Sequence, residues 1–320
     1  MTKRAFITGI SGQDGAYLAS ILLSKGYSVF GATRNLKSTD LSSLKKLNIL
    51  NVIQLTEVNL RDARSVDNLI SSIRPQEIYH LAGQSSVSVS FNNPLETISG
   101  IIQEILIILD VIRIRDPSIR FLNAGSGDCF GGAAKADEST LFNPLSPYGL
   151  AKASSTSITK FYREIYGLFS CTGILFNHES PLRDSRFVSK KIISTACRIK
   201  NGQREKLVLG NIDIERDWGW APDYVDAMWK ILNQQKPDDY IIATGKTVSL
   251  RDFVAAAFEE CDLNWKDHIK IDKSLFRHSE ISASQANNHK ACHLLNWRAN
   301  FSGVDVARKL VQCELTNKYF

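Results

Sequence analysis

The segment Thr8-Gly9-Ile-Ser-Gly12-Gln13-Asp14-Gly15 constrains this chain more than any other. It follows directly on Arg4-Ala-Phe-Ile-Thr8, which reads as a buried strand, and leads into an amphipathic helical pattern over 17–25 that stops at Gly26. Glycines at a strand-to-helix junction allow a tight turn, let the backbone approach a bound group and bring helix and strand close together. The helix start adds N–H groups without intrahelical partners and the positive end of the helix dipole, so the junction suits a pyrophosphate. The spacing is G-x-x-G-x-x-G, not the commoner G-x-G-x-x-G, and its place after the first strand gives the dinucleotide reading its weight.

Strand patterns recur at 27–32, 52–55, 77–81, 120–123 and 170–176, with helical patterns such as 63–72 and 154–166 between them. Repeated βα units imply an α/β fold with a doubly wound parallel sheet of the Rossmann type. Beyond about 176 the rhythm loosens and the loops become richer in His, Asn, Asp, Arg and Trp. We therefore expect a cofactor-binding domain over 1–176 and a smaller C-terminal substrate-binding portion over 177–320, with a strand near 240–245 returning to the main sheet.

The 320 residues, 43% hydrophobic and 22% charged, exclude a disordered tail, a collagen-like fibre and a coiled coil. Apolar runs stop well short of the roughly 18 residues a membrane span needs. The strongest run, 101–114, is interrupted by Gln103, Glu104, Asp110 and Arg113. The opening MTKRAFITG has no apolar h-region, so a cytoplasmic protein without a secretion signal is expected. Six widely spaced cysteines never form CxxC, which points to reduced, buried thiols and not to zinc or disulfides. A charge of +6 without a basic block gives nucleic-acid binding little support. The segment 101–114 is apolar on almost all sides, so it needs a second buried face. That face lies either under the same chain or against the same helix of a second subunit, which would make a two-fold homodimer.

Two further features bear on chemistry. At the end of the second strand, where a carboxylate would hold a ribose 2′-hydroxyl, the chain has Ala32-Thr33-Arg34-Asn35; Arg34 suits a 2′-phosphate, favouring NADP over NAD. Downstream, Tyr148-Gly-Leu-Ala-Lys152 follows Ser146-Pro147 and begins a helix, so tyrosine and lysine share one face. An ammonium and the positive ring of an oxidised nicotinamide favour tyrosinate, which can remove a hydroxyl proton as hydride leaves the same carbon.

These features occur beside ITGISGQDGAYLA (7–19), EIYHLAGQSSVSVSF (77–91), SPYGLAK (146–152), GILFNHESPLR (173–183), LGNIDIERDWGWAPDYVDAMW (209–229), KPDDYIIATG (236–245) and FRHSE (276–280). Over nearly its whole length the chain resembles the extended short-chain dehydrogenases/reductases, and within them the GDP-mannose 4,6-dehydratase family. The resemblance implies a redox-neutral lyase of nucleotide-sugar metabolism that uses NADP and a GDP-sugar substrate. The sugar's C4 hydroxyl is oxidised, a carboxylate removes the C5 proton, water leaves C6 and the hydride returns to C6.

Carried over by residue, the catalytic positions are Ser126, Asp128, Tyr148 and Lys152. The family's Thr-Ser-Glu is Ser126-Gly127-Asp128 here, which shortens the carboxylate by a methylene and removes one hydroxyl. For the cofactor the resemblance implies Gly9, Gly12, Gln13, Asp14, Gly15, Arg34, Asn59, Leu60, Leu81, Ala82, Gln84, Ser85, Tyr148, Lys152, His178 and Arg183. Asn59 stands where the family usually has an aspartate, and six dispersed histidines without H-x-x-H or cysteine partners argue against a metal. For the sugar nucleotide it implies Ser85, Asn177, Lys191, Arg216, Arg277 and Glu280. The segment after Arg34 is shorter than the family loop that reaches a neighbouring subunit, so a dimer is expected and a tetramer stays open. Three readings stand: dehydration of a GDP-mannose-type sugar, including a GDP-heptose variant; a GDP-sugar reductase or epimerase that uses the tyrosine without elimination; and a weakly catalytic sugar-nucleotide binder, which would need neither Tyr148 nor Lys152.

Overall fold

A computed structural model describes residues 2–276 and 280–320. Six strands alternate with helices through the first half: β1 (Arg4–Thr8), β2 (Ser28–Thr33), β3 (Gln54–Glu57), β4 (Glu77–His80), β5 (Arg120–Ser126) and β6 (Ser170–Leu175). The chain then leaves this layer through β7 (Asn177–Glu179), β8 (Leu207–Leu209) and β9 (Glu215–Trp220), and returns with β10 (Tyr240–Ile242). β10 completes a seven-stranded sheet in the order β10-β6-β5-β4-β1-β2-β3. All its pairings are parallel. The order reverses between β1 and β4, and in such sheets the crevice at that switch point is where ligands bind.

Helices cover both faces, so β4, β5 and β6 are almost continuously buried. In chain order the helices are α1 (Gln13–Ser24), α2 (Ser42–Lys46), α3 (Ala63–Ile73), α4 (Val87–Asn92), α5 (Pro94–Arg115), α6 (Pro147–Tyr166), α7 (Val188–Lys200) and α8 (Ala221–Leu232). α1 packs on α8, with Tyr17, Leu18, Leu22, Val225 and Met228 in one core. On the other face α3, α5 and α6 enclose Val66, Ile70, Ile105, Ile108, Ile112 and Phe121. Residues 221–242 thus belong spatially to the main sheet. An ion pair of Arg163 with Asp239 at 2.6 Å, whose carboxylate also accepts the Thr172 N–H at 2.7 Å, ties α6 and β6 to the chain entering β10.

The rest builds a smaller layer from α9 (Leu250–Glu259), α11 (Val304–Thr316) and the short strands β11 (Thr247–Ser249), β12 (Ile269–Ile271) and β13 (Ala283–Ser284), while α10 (His289–Leu294) packs on β10 and adds Ala291 to the core of the main sheet. β9 is the centre of the smaller layer, pairing with β7, β11 and β13, while β12 pairs with β8. α7, α9 and α11 close over it through Ile192, Trp218, Phe253, Phe258, Val306 and Leu310.

Several elements begin away from where periodicity places them. α6 starts at Pro147, where the Ser146-Pro147 signal before Tyr148 puts it and ahead of the apolar periodicity over 154–166, because Ser146 accepts the Gly149 N–H at 3.0 Å and Pro147 occupies the first turn. β3 starts at Gln54 because Leu50–Val52 forms a 3₁₀ turn. The second apolar face of 101–114 is largely met inside the chain by α6 and α3, although Leu106 is 39% and Ile114 61% exposed. Among the described residues no helix is long and apolar enough to cross a membrane. Five cysteines are buried and Cys292 is half-buried.

Candidate functional site

The glycine turn lies at the switch point. Gly9 has φ +72°, and a Cβ there would stand 2.8 Å from the Ala82 nitrogen. A Cβ on Gly15 would stand 2.6 Å from the Ile10 Cα and closer still to the Gly9 carbonyl oxygen. The turn is therefore folded onto itself and onto the end of β4. Gly12 caps α1 without a side-chain hydrogen bond, so the first-turn N–H groups keep their capacity for an outside acceptor. The cradle fits a pyrophosphate.

Asp14 ties this turn to the second half of the chain. Its carboxylate meets His178 Nε2 at 2.9 Å, while His178 Nδ1 bonds to the Phe176 carbonyl at 2.7 Å. Burial pushes the Asp14 carboxyl upward, but the charge and hydrogen bond of His178 and the Gln13 amide outweigh it and hold the group below its ordinary value. Burial likewise pushes His178 down, and Asp14 more than reverses this. His178 also stacks on Tyr224 with centroids 4.5 Å apart. Gln13 donates to the His178 carbonyl at 3.2 Å and accepts from Ser180 at 2.7 Å.

β5 ends at Ser126, whose hydroxyl accepts the Asp128 N–H at 3.3 Å and starts a 3₁₀ turn over Gly127–Phe130. This turn meets the start of α6 closely: a Cβ on Gly149 would stand 2.7 Å from the Asp128 carbonyl oxygen. The glycine between Tyr148 and Lys152 thus lets the helix descend onto the carboxylate-bearing turn. Tyr148 is buried, with the Ser126 hydroxyl near enough to act on its phenol. Lys152 Nζ donates to the Ala124 carbonyl at 2.8 Å and lies 5.8 Å from the Tyr148 ring centroid. Burial pushes the ammonium down to about 8, with Glu104 and Asp14 opposing. Burial and the Asp128 charge push the Tyr148 phenol up, against Ser126 and the Arg183 charge. In the protein alone, desolvation outweighs the stabilisation of tyrosinate expected from the neighbouring ammonium.

A cleft of about 260 Å³ brings together Asp14, Leu81, Gln84, Ser85, Ser126, Asp128, Tyr148, Lys152, Asn177, His178, Arg183 and Arg216. Gly9, Gly12, Gln13, Gly15 and Ala82 form or adjoin the turn behind it. Gln84 donates to the Ser86 carbonyl at 2.8 Å. Arg34 and Asn59 are exposed at the ends of β2 and β3, and Leu60 is buried beside them. Lys191 is exposed and bonds to the Val208 carbonyl at 2.6 Å, and Glu280 accepts from Asn211 at 3.2 Å; neither lines the cleft. Arg277 lies outside the described residues.

Three participants escape sequence reasoning. Phe176 covers the backbone at Gly127, where a Cβ would stand 3.0 Å from its ring. Phe187 stacks under Arg183 at 3.5 Å, and Glu179 pairs with the same arginine at 3.1 Å. All three read as core or surface residues until the fold places them, although NHES offered a local signal for Glu179. Among the described residues no group of three or more His, Cys, Asp or Glu is placed to hold a metal ion.

The fold alone is shared widely. DesIV, a dTDP-glucose 4,6-dehydratase from Streptomyces venezuelae solved with NAD and TYD, superposes with a TM-score of 0.87 at 18% identity, covering 98% of this chain and 97% of that one. RMD from Pseudomonas aeruginosa, complexed with NADPH, gives 0.82 at 21% identity, covering 99% and 100%. Sequence is more selective. GDP-mannose 4,6 dehydratase 1 of Arabidopsis thaliana is 40% identical over 324 residues, covering 98% of this chain and 90% of that protein. The family model described as GDP-mannose 4,6 dehydratase matches residues 6–310. With its glycine turn, Tyr148 and Lys152 set around one cleft, the chain belongs to the GDP-mannose 4,6 dehydratase family.

Proposed function

We propose that the protein is an NADP-dependent lyase that converts GDP-mannose to its 4-keto-6-deoxy derivative. The observation that carries this reading is the meeting of Ser126, Asp128, Tyr148 and Lys152 in one cleft beside the glycine turn. The turn and the first N–H groups of α1 would hold the pyrophosphate, with Leu81, Ala82, Gln84 and Ser85 along the edge of β4 and the Asp14–His178 pair closing the turn. Asn59 and Leu60 would border the adenine, and Arg34 a 2′-phosphate. When bound, the oxidised nicotinamide supplies a hydride acceptor and a positive charge beside the phenol.

The chain's own groups divide the proton work. Tyr148 takes the C4 hydroxyl proton, while Ser126 holds that oxygen. The C4 ketone acidifies C5–H, Asp128 removes the C5 proton and passes it to the C6 hydroxyl, which departs as water; return of the hydride to C6 would then be matched by a proton to C5, supplied from the one Tyr148 took at C4. Ser85, Asn177, Lys191, Arg216, Arg277 and Glu280 would hold the GDP-sugar, since guanidinium forks suit phosphate and a carboxylate suits the guanine N–H edge. The outer face of α5 and α6, where Leu106, Leu150, Phe161 and Ile165 are exposed, would pair with a second copy across a two-fold axis. The buried free thiols suit a reducing, cytoplasmic setting.

The test is turnover of GDP-mannose and GDP-heptose without added reductant, following product mass and nicotinamide absorbance, with NADPH and NADH titrated in parallel. Loss of one water without net NADPH consumption is expected with GDP-mannose. Net consumption, or a product of unchanged mass, would refute the dehydration and favour a reductase or an epimerase. Asp128→Asn should abolish water loss while GDP-mannose still binds, and unchanged turnover would remove Asp128 from the mechanism.

A further inference from the structure

One buried carboxylate near the cleft has no part in the chemistry above. Glu104 lies in α5, its side chain only 12% exposed, in a stretch (101–109) that is isoleucine and leucine apart from it and Gln103. Its Oε2 is buried without a hydrogen-bond partner. Its Oε1 is 3.7 Å from Arg61 Nε, too far for a hydrogen bond. A carboxylate buried this way is costly unless its charge is matched nearby.

Two cationic neighbourhoods match it. Glu96, Gly100 and Glu104 follow one another at four-residue intervals and so share a face of α5. The Arg61 guanidinium lies across Gly100, in the space a Cβ would need, and pairs with Glu96 at 2.6 Å. Arg61 therefore spans the gap between the two acids. On the other side α5 packs along α6, and Ile101, one turn before Glu104, shares an apolar cluster with Tyr148 and Ala151. Ala151 precedes Lys152, whose ammonium is buried and bonded to a neutral carbonyl. The acid whose charge acts most on that ammonium is Glu104, followed by Asp14.

We infer that Glu104, steadied by Arg61, is the fixed counter-charge of the Lys152 ammonium, a positioning residue that acts through Lys152 on Tyr148. Besides Glu104, the charged or titratable groups facing Lys152 are Asp14 on α1, His80 on β4 and Tyr148 on its own helix. His80 is kept neutral by burial, which takes it down to about 3, and adds no charge. Those facing Glu104 are Arg61 after β3, Arg34 after β2, Lys152 on α6 and Glu96 on α5. Burial pushes the Glu104 carboxyl above its ordinary value, and the three cations oppose that push only in part. With Glu104 ionised, Lys152 resists the loss of its proton; with Glu104 neutralised, burial acts on Lys152 with less opposition.

The inference rests on the assignment of Tyr148 and Lys152 to proton transfer, and the experiment separates the two. The pH dependence of GDP-mannose turnover is measured for the parent, Glu104→Gln, Glu104→Asp, Tyr148→Phe and Lys152→Met. In Glu104→Gln the alkaline limb should move down by about one pH unit, as expected for one charge about 8–10 Å away at an effective dielectric of about 20. Glu104→Asp should restore at least half of the shift. NADPH affinity of both variants should stay within about threefold of the parent, because Glu104 acts on the ammonium and not on the phosphates. An unmoved limb in Glu104→Gln, with Tyr148→Phe and Lys152→Met inactive, overturns the inference and leaves the assignment standing. Full turnover in Tyr148→Phe overturns the assignment itself. If Glu104→Gln melts below the assay temperature, Glu104→Leu, which removes the charge and leaves no polar atom buried in the apolar stretch, is read in its place, and an unmoved limb then overturns the inference.

Discussion

Replacing Gly15 by alanine is the most direct test of the cofactor cradle. The added methyl would lie 2.6 Å from the Ile10 Cα, roughly 0.8 Å inside ordinary van der Waals contact, with the Gly9 carbonyl oxygen nearer still. Both obstacles are backbone, so no rotamer change relieves them and the turn itself must open. Overpacking of this kind costs about 3 kcal/mol. Exchanging glycine for alanine within a helix returns about 1 kcal/mol. A net loss of about 2 kcal/mol lowers the melting point by about 3 °C in a chain of this size. Opening the turn also draws away one or two N–H groups aimed at the pyrophosphate, each worth about 1.5 kcal/mol or more toward a charged acceptor, so NADPH should bind about 10–100-fold more weakly. Gly12→Ala is the graded control. Its Cβ would stand 3.3 Å from the Gly9 carbonyl oxygen, and its φ of −73° and ψ of 173° suit alanine, so stability should change by less than about 1 kcal/mol. Thermal unfolding and fluorescence titration with NADPH measure both effects. A Gly15→Ala protein that melts within about 1 °C of the parent and binds NADPH equally well would refute the cradle.

Two further expectations concern the cleft floor and the Asp14–His178 pair. Gly127→Ser would place a Cβ 3.0 Å from the Phe176 ring, which is buried and stacked on Phe130, so stability should fall by about 1–2 kcal/mol. Adding Phe176→Leu should recover part of that loss, and a purely additive double mutant would show that the ring is not the obstacle. Because the pair raises His178 above 6.5, its stabilisation is complete below that value and fades as pH rises through the raised one. Because it lowers Asp14 below 3.8, the same stabilisation is present above that value and is lost only in stronger acid. The stability deficit of His178→Gln should therefore be greatest between about pH 4 and 6 and smaller at pH 9. Equal deficits by urea unfolding at pH 5 and pH 9 would sink the ion pair.

The sequence alone determined what is local. A glycine turn between strand and helix, alternating βα patterns and a tyrosine and lysine one helical turn apart each follow from backbone sterics, side-chain periodicity or capping over a few residues. They sufficed for a parallel sheet, a nucleotide cradle and the acid–base helix. Only the tertiary structure decided which distant groups meet and how deeply they are buried. His178 reaches Asp14 across 164 positions, and the α6 backbone settles onto the Asp128 carbonyl at Gly149. Phe176 takes the space left by Gly127, and Glu104, buried within α5, faces Arg61 while its charge acts on Lys152. The physical reason is that a charge or a phenol takes its properties from desolvation and from neighbours brought by other elements. Tyr148 is the clearest case: the sequence places a cation one turn away, and burial beside Asp128 still raises its pKa.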